Sequence, residues 1–327
     1  MSIKYPIKFV PILKEKIWGG EKLMKLLDKK SDKKNIGESW EISDIERNTS
    51  IVANGRLKGK TLNDLIFKYK GDFLGNKVYK EFGNKFPLLI KFIDAKTALS
   101  VQLHPNDELA MKRHNSFGKS EMWYVMQADE KANLIVGFKE NINSEEYLNR
   151  VDNNTLVDVL NFDKVEEGDV YFIPEGRIHA IGAGVLLAEI QQTSDITYRI
   201  YDWNRVDDNG KARDLHIEES INAIDYNSKD SYKTGYVDSQ NKSTLIVECP
   251  YFTTNILPIK GSITFNHSNK DSFVIYMCVK GQVTFEYGNK NQLEELNEGE
   301  TILISSALKK GVIFSEGHSK LLEIFIK

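Results

Sequence analysis

Short apolar runs of strand length alternate with polar turn residues along most of the chain. Segments 86–93, 98–103, 122–126, 134–138, 170–173, 185–190 and 197–201 are rich in β-branched and aromatic residues, and many are separated by glycine or Asn/Asp clusters. Past residue 243 the pattern becomes regular. Runs at 244–247, 253–257, 262–265, 273–279, 282–287, 301–304, 312–314 and 321–326 recur about every ten residues, the rhythm of a sandwich or barrel. Helical spacing is local. Thr61 is a candidate N-cap ahead of Leu62, Leu65, Ile66 and Tyr69 on one face. Segment 107–113 reads as a short helix, 144–162 as one broken helix or two short ones, and 215–224 as a last one. The pattern predicts a mainly β protein decorated by short helices.

An internal echo sharpens this. Glu167-Gly168-Asp169-Val170-Tyr171-Phe172-Ile173 returns as Glu298-Gly299-Glu300-Thr301-Ile302-Leu303-Ile304. The first copy continues into Pro174-Glu175-Gly176-Arg177-Ile178-His179, the second into Ser305-Ser306-Ala307-Leu308-Lys309-Lys310. The framework repeats without the proline, glycine and histidine, so one copy is expected to be functional and the other structural. The polar stretch 227–242 is the best linker. A chain of 327 residues exceeds one ordinary core, and a division into 1–240 and 241–327 is expected.

Composition removes several function classes. Lys+Arg number 44 and Asp+Glu 47, a formal charge of −3 without a basic face for nucleic acid. Two cysteines, Cys249 and Cys278, exclude a disulfide framework or a Cys-rich metal site, and read as small buried hydrophobes. No run of 18 apolar residues and no apolar leader occur, so neither a membrane span nor a signal peptide is expected, and the expected location is cytoplasmic. Any transition metal must draw on six histidines plus carboxylates or amides. His114, His216, His267 and His318 lack ligand spacing and read as ordinary surface or structural residues.

On a strand, Gln102 and His104 share a face. If that face is buried they need partners, which a metal supplies; if it is solvent-facing they need none. A second piece, Gly168-x(5)-Pro174-x-Gly176-x(2)-His179, ends a strand, turns at Glu175-Gly176 and sends His179 inward on the returning strand. This spacing resembles the second metal-binding motif of the cupin superfamily, although Ala183 stands where that pattern has Asn. The resemblance implies two cupin-like β-sandwich or jelly-roll domains, the second without metal ligands. It also implies a ligand set of Gln102, His104, Glu121 and His179, with Gln102 replacing the first His of the superfamily's His-x-His pair.

The resemblance then narrows. Leu99-Ser100-Val101-Gln102-Leu103-His104-Pro105-Asn106-Asp107, Gly118-Lys119-Ser120-Glu121 and Gly176-Arg177-Ile178-His179-Ala180 resemble the type I mannose-6-phosphate isomerase family, in its short bacterial form. So do Ile17-Trp18-Gly19-Gly20, Gly37-Glu38-Ser39-Trp40-Glu41 and the segment from Ser194 to Arg205. The resemblance implies one Zn2+ per chain on those four ligands, with Arg199 as catalytic arginine and Lys119, Glu189 and Asp195 as further catalytic candidates. Ser100 and Lys96 fall near the family's sugar-phosphate pocket. Lys119-Ser120-Glu121 departs from the family's Lys-Pro-Glu in its middle residue.

The implied reaction interconverts mannose 6-phosphate and fructose 6-phosphate by moving a proton between C1 and C2 through an ene-diolate. Such chemistry needs a Lewis acid, a proton carrier and a fixed cation for the developing oxyanion or the phosphate. The sequence leaves the carrier open between a carboxylate and a lysine. Competing readings are a metal-dependent cupin dioxygenase and a non-catalytic sugar-phosphate-binding cupin. Trp18, Trp40 and Trp203 read as core aromatics or as the wall of a sugar pocket. The expected partner is a small sugar phosphate, with no nucleic acid and no membrane, and the chain is expected as a monomer or weak dimer.

Overall fold

The computed structural model describes residues 3–206 and 209–327 and is mainly β, as the alternation predicts. Three antiparallel sheets carry the fold. The five-stranded sheet runs Leu160–Lys164, Asn133–Phe138, His179–Ile181, Val101–Leu103, Tyr198–Tyr201. The six-stranded sheet runs Val170–Ile173, Glu121–Ala128, Val185–Gln192, Leu88–Ala95, Ile12–Gly20, Ile36–Ile42. The third sheet is eight-stranded and gathers every strand from Thr244–Glu248 onward. Its edge is the N-terminal strand Ile7–Lys8, whose Ile7 lies opposite Leu303. One apolar cluster runs from Ile7, Leu65 and Phe92 to Ile275 and Leu322.

Strand parity explains where polar residues are tolerated. In the five-stranded sheet Val101, Leu103, Ile178, Ala180, Tyr198 and Ile200 turn outward onto an apolar layer with Tyr147, Leu156 and Val159. Gln102, His179 and Arg199, one residue out of step, therefore face the other way. In the six-stranded sheet Ile90, Phe92, Met122, Tyr124, Ala188 and Ile190 join the large core. Lys91, Glu121, Trp123 and Glu189 occupy the alternate positions and face inward between the two sheets. The polar residues of one face thus meet those of the other, which sets the position of the site.

Several elements differ from the pattern-based reading, each for a physical reason. The pairs 253–257 with 262–265, and 312–314 with 321–326, fuse into two long paired strands, Thr253–Asn266 and Lys310–Phe325. Gly261, at φ +74°, absorbs the register shift there, so a glycine that reads as a break is a bulge. Segment 144–162 is the helix Ser144–Asp152 and a 3-10 turn Leu156–Val159, with the strand Leu160–Lys164 following. Ile36–Ile42 escapes the alternation because both of its faces are buried, Glu38, Ser39 and Glu41 included. The helix Leu62–Tyr69 has the expected start: Thr61 and Asp64 form a reciprocal capping box. Segment 227–242 is irregular but tied down. Tyr232 donates to Phe138 O at 3.0 Å and Tyr236 to Gly168 O at 2.8 Å.

Candidate active site and metal centre

Two strand registers assemble the first wall. Both His179 and Arg199 lie directly opposite Gln102, on the two neighbouring strands. His179 begins its strand after a turn at Gly176 (φ +80°), where a side chain would strike Ala223 O. The facing wall is built the same way: Glu189 pairs with Lys91 and Trp123, and Lys91 with Trp40. Between the walls lies a cavity of about 350 Å³.

His104, Glu121 and His179 bring donor atoms within 4.8 Å of one another, all three residues buried. Glu121 Oε2 is 3.4 Å from His104 Nε2, and Oε1 is 3.5 Å from His179 Nε2. Each imidazole spends its Nδ1 on a main-chain carbonyl: His104 on Ile196 O and His179 on Arg177 O, both at 2.8 Å. A carbonyl only accepts, so Nδ1 carries the proton and the Nε2 of a neutral ring points a bare lone pair at Glu121. Burial, with Lys119 adding to it, pushes His104 down to about 3, and burial likewise lowers His179. Both rings are therefore neutral near pH 7. Desolvation alone would raise Glu121, but the Lys119 ammonium at 3.1 Å holds it well below the usual carboxylate range. His104 Nε2 and both Glu121 oxygens are buried without a hydrogen-bond partner. Buried acceptors facing one another are costly even with Lys119 ion-paired to Glu121 Oε2, and a cation between them satisfies all of them together. The residues present therefore fit a metal ion.

Gln102 adjoins this trio, its amide nitrogen 3.4 Å from His179 Nε2. Exchange of the amide's two ends brings Oε1 to the same place, making a fourth donor. Among the described residues no other cluster of three or more His, Cys, Asp or Glu has ligand spacing. The segment after the second echo copy holds no such set.

The remaining sequence-derived candidates fall in or beside the cavity. Ser100, Gln102, Lys119, Glu189, Asp195 and Arg199 line it. Lys96 does not: its side chain is exposed and outside the lining, because the strand Leu88–Ala95 ends just before it. Arg199 is half-buried, donating from Nε to Ser100 Oγ at 3.3 Å and from Nη1 to Asp214 O at 3.0 Å. Among the described residues it has no carboxylate within ion-pair reach, whereas Lys16, Lys91, Lys119 and Arg213 each have one. Glu189 is fully engaged: Lys91 Nζ donates to Oε1 at 2.8 Å and Trp123 Nε1 to Oε2 at 2.9 Å. Asp195 is exposed at the cavity's edge.

Sequence reading missed part of this wall. Lys91 and Glu38 are buried and charged, and no spacing marks them, because each sits alone among apolar or small residues. Desolvation works against charge on both. Lys91 is still held above its ordinary value by Glu189 and Glu38, and Glu38 below its own by Lys91 and Lys16. Trp18 and Trp40 line the cavity, while Trp203 braces the strand before it, its indole donating to Leu99 O at 2.7 Å.

Comparison with known proteins gives the family. A model of the phosphomannose isomerase type I catalytic domain matches residues 7–138. Mannose-6-phosphate isomerase of Streptococcus mutans is 36% identical over 250 residues, covering 76% of this chain and 77% of that protein. Mannose-6-phosphate isomerase ManA of Bacillus subtilis is 36% identical over 260 residues, covering 79% and 80%. The crystal structure of mannose 6-phosphate isomerase from Bacillus subtilis superposes with a TM-score of 0.88 at 30% identity, covering 98% of this chain and 99% of that one. With relatives 36% identical over more than two thirds of its length, the chain belongs to the type I phosphomannose isomerase family.

Proposed function

We propose that this chain interconverts mannose 6-phosphate and fructose 6-phosphate in the cavity between its two sheets, using one Zn2+ held by Gln102, His104, Glu121 and His179. The observation that carries the reading is the buried meeting of His104 Nε2 and Glu121, ion-paired to Lys119 but without hydrogen-bond partners, beside an arginine with no carboxylate partner among the described residues. Two imidazoles, one carboxylate and one amide oxygen suit zinc. Two His and one carboxylate alone would also suit non-haem iron, and Gln102 as a fourth donor favours zinc. When bound, the ion supplies Lewis-acid polarisation of the sugar's oxygens.

The protein's own groups do the rest. Arg199 is oriented by Ser100 and the Asp214 carbonyl and keeps further donors for an anionic sugar oxygen or the phosphate. Lys119 lines the cavity next to Glu121 and is the group placed to carry the proton between C1 and C2 through an ene-diolate. Glu189, with both oxygens occupied, acts as a fixed charge that holds Lys91 and Trp123 in place rather than as the base. Asp195, at the edge, meets the substrate as it enters. Trp18 and Trp40 offer flat apolar faces to a sugar ring.

Turnover in D2O followed by NMR tests this reading. Mannose 6-phosphate is expected to yield fructose 6-phosphate, with solvent deuterium entering at C1 and C2 of the two sugars. Binding without conversion would leave a non-catalytic sugar-phosphate protein, and oxygen consumption with iron bound would leave a dioxygenase. Either result would contradict the proposal.

A further inference from the structure

The segment that carries Lys119 and Glu121 is held by a side chain from the C-terminal β-structure. Tyr251 lies between the strands Thr244–Glu248 and Thr253–Asn266, and its hydroxyl donates to Asp107 Oδ2 at 2.9 Å. The other oxygen of Asp107 accepts from Gly118 N at 2.7 Å and from Gln192 Nε2 at 3.2 Å. Gln192 in turn accepts from Ser120 N at 2.8 Å through its amide oxygen, and donates its main-chain N–H to Ser120 O at 3.2 Å. Lys119 lies between these anchors, its own N–H on Pro105 O at 3.3 Å. Gly118 is pressed so closely to this segment that a side chain would meet Asp107 N at 2.6 Å.

The same group reaches the other ligands. Buried Ser120 donates its hydroxyl to Glu175 and accepts the Glu175 N–H at 3.3 Å, while Gly176 N donates to His104 O at 2.8 Å. Glu175-Gly176 is the turn that aims His179 inward. One hydrogen-bonded cluster thus touches the main chain beside His104, Glu121 and His179, and its link to the C-terminal sheet is Tyr251.

We propose that Tyr251 is a positioning residue: its hydroxyl fixes Asp107, and through Asp107 the segment 118–121, so that the C-terminal β-structure sets the geometry of the metal ligands and Lys119. The inference rests on the reading of the site given above. It gives the C-terminal sheet, which contributes nothing to the cavity lining, a part in the reaction.

The test compares full-length wild type, Tyr251→Phe, Asp107→Asn and the double variant. Zn2+ affinity is read by competition with a chromophoric chelator, kcat and KM on mannose 6-phosphate, and Tm by thermal melting. Partners that orient metal ligands are worth 10–100-fold in affinity, so Tyr251→Phe is expected to weaken Zn2+ binding by about tenfold. Misplacing reacting groups lowers kcat, and a fall of about tenfold with KM changed by less than about twofold is expected. Losing one hydrogen bond should move Tm by only about 2 °C. Asp107→Asn is expected to stay near wild type, because the asparagine oxygen still accepts from Gly118 and its amide donates to the Tyr251 hydroxyl. The double variant, lacking that acceptor, should fall to the level of Tyr251→Phe. Unchanged affinity and kcat in Tyr251→Phe, or equal losses in Asp107→Asn, would overturn the proposal while leaving the isomerase reading intact. A wild type that neither binds Zn2+ nor turns over would refute that reading, and with it this one.

Discussion

His179→Ala is expected to empty the site of metal and end turnover together. The ring contributes one of two neutral imidazole donors, and its Nδ1 bond to Arg177 O fixes the tautomer that faces Glu121. Alanine leaves one imidazole, one carboxylate and the weaker amide of Gln102, too few donors to hold the ion against water. Metal content should fall from one Zn2+ per chain to near zero, and turnover by about 1,000-fold or more, the scale on which a reaction loses its main electrostatic stabiliser. The strand itself should persist, since its pairing with Val136 and Gln102 is main-chain. Circular dichroism and elemental analysis on the same sample separate the two effects. A variant that keeps its zinc would remove His179 from the ligand set.

Arg199→Ala should give the opposite split. Arg199 contacts none of the three buried donors; its bonds go to Ser100 and the Asp214 carbonyl. Metal content should stay at wild-type level. The guanidinium, without a carboxylate partner among the described residues, is the cation proposed to meet an anionic substrate, so kcat/KM should drop by about 100- to 1,000-fold, as when an oxyanion donor is removed. Lysine should recover little of that loss, because it cannot reproduce a forked, planar donor. Metal loss on Arg199→Ala would contradict the assigned role.

How much of this was legible in the sequence follows from what each residue type signals. Gln102 and His104 show a period-two pair, and Gly176 with His179 shows a turn with an inward histidine; both patterns are local and survive in one dimension. Glu121 becomes visible only beside them. Lys91 was silent, and Glu38 stood in a family string with no role attached, because a single buried charge in an apolar or mixed strand looks like any solvated one until its neighbours supply Glu189, Lys16 and Trp40. Lys96, which the resemblance alone suggested, lies past the strand's end and outside the cavity lining. At the fold level, short apolar runs between turn residues located most strands, but Gly261 inside a continuous ladder reads like a turn, and Ile36–Ile42 is buried on both faces with polar residues among the apolar ones. The link from Tyr251 to Asp107 spans 144 residues and two sheets, beyond any local pattern.

The buried donors of Gln102, His104, Glu121 and His179 are proposed to hold a zinc ion on which sugar-phosphate isomerisation depends. The direct measurement is activity on mannose 6-phosphate during removal and return of metal, with bound zinc counted at each stage. One zinc per active chain is expected, with loss of turnover as a chelator removes it and recovery in proportion to zinc restored. Undiminished turnover in metal-free protein would contradict it.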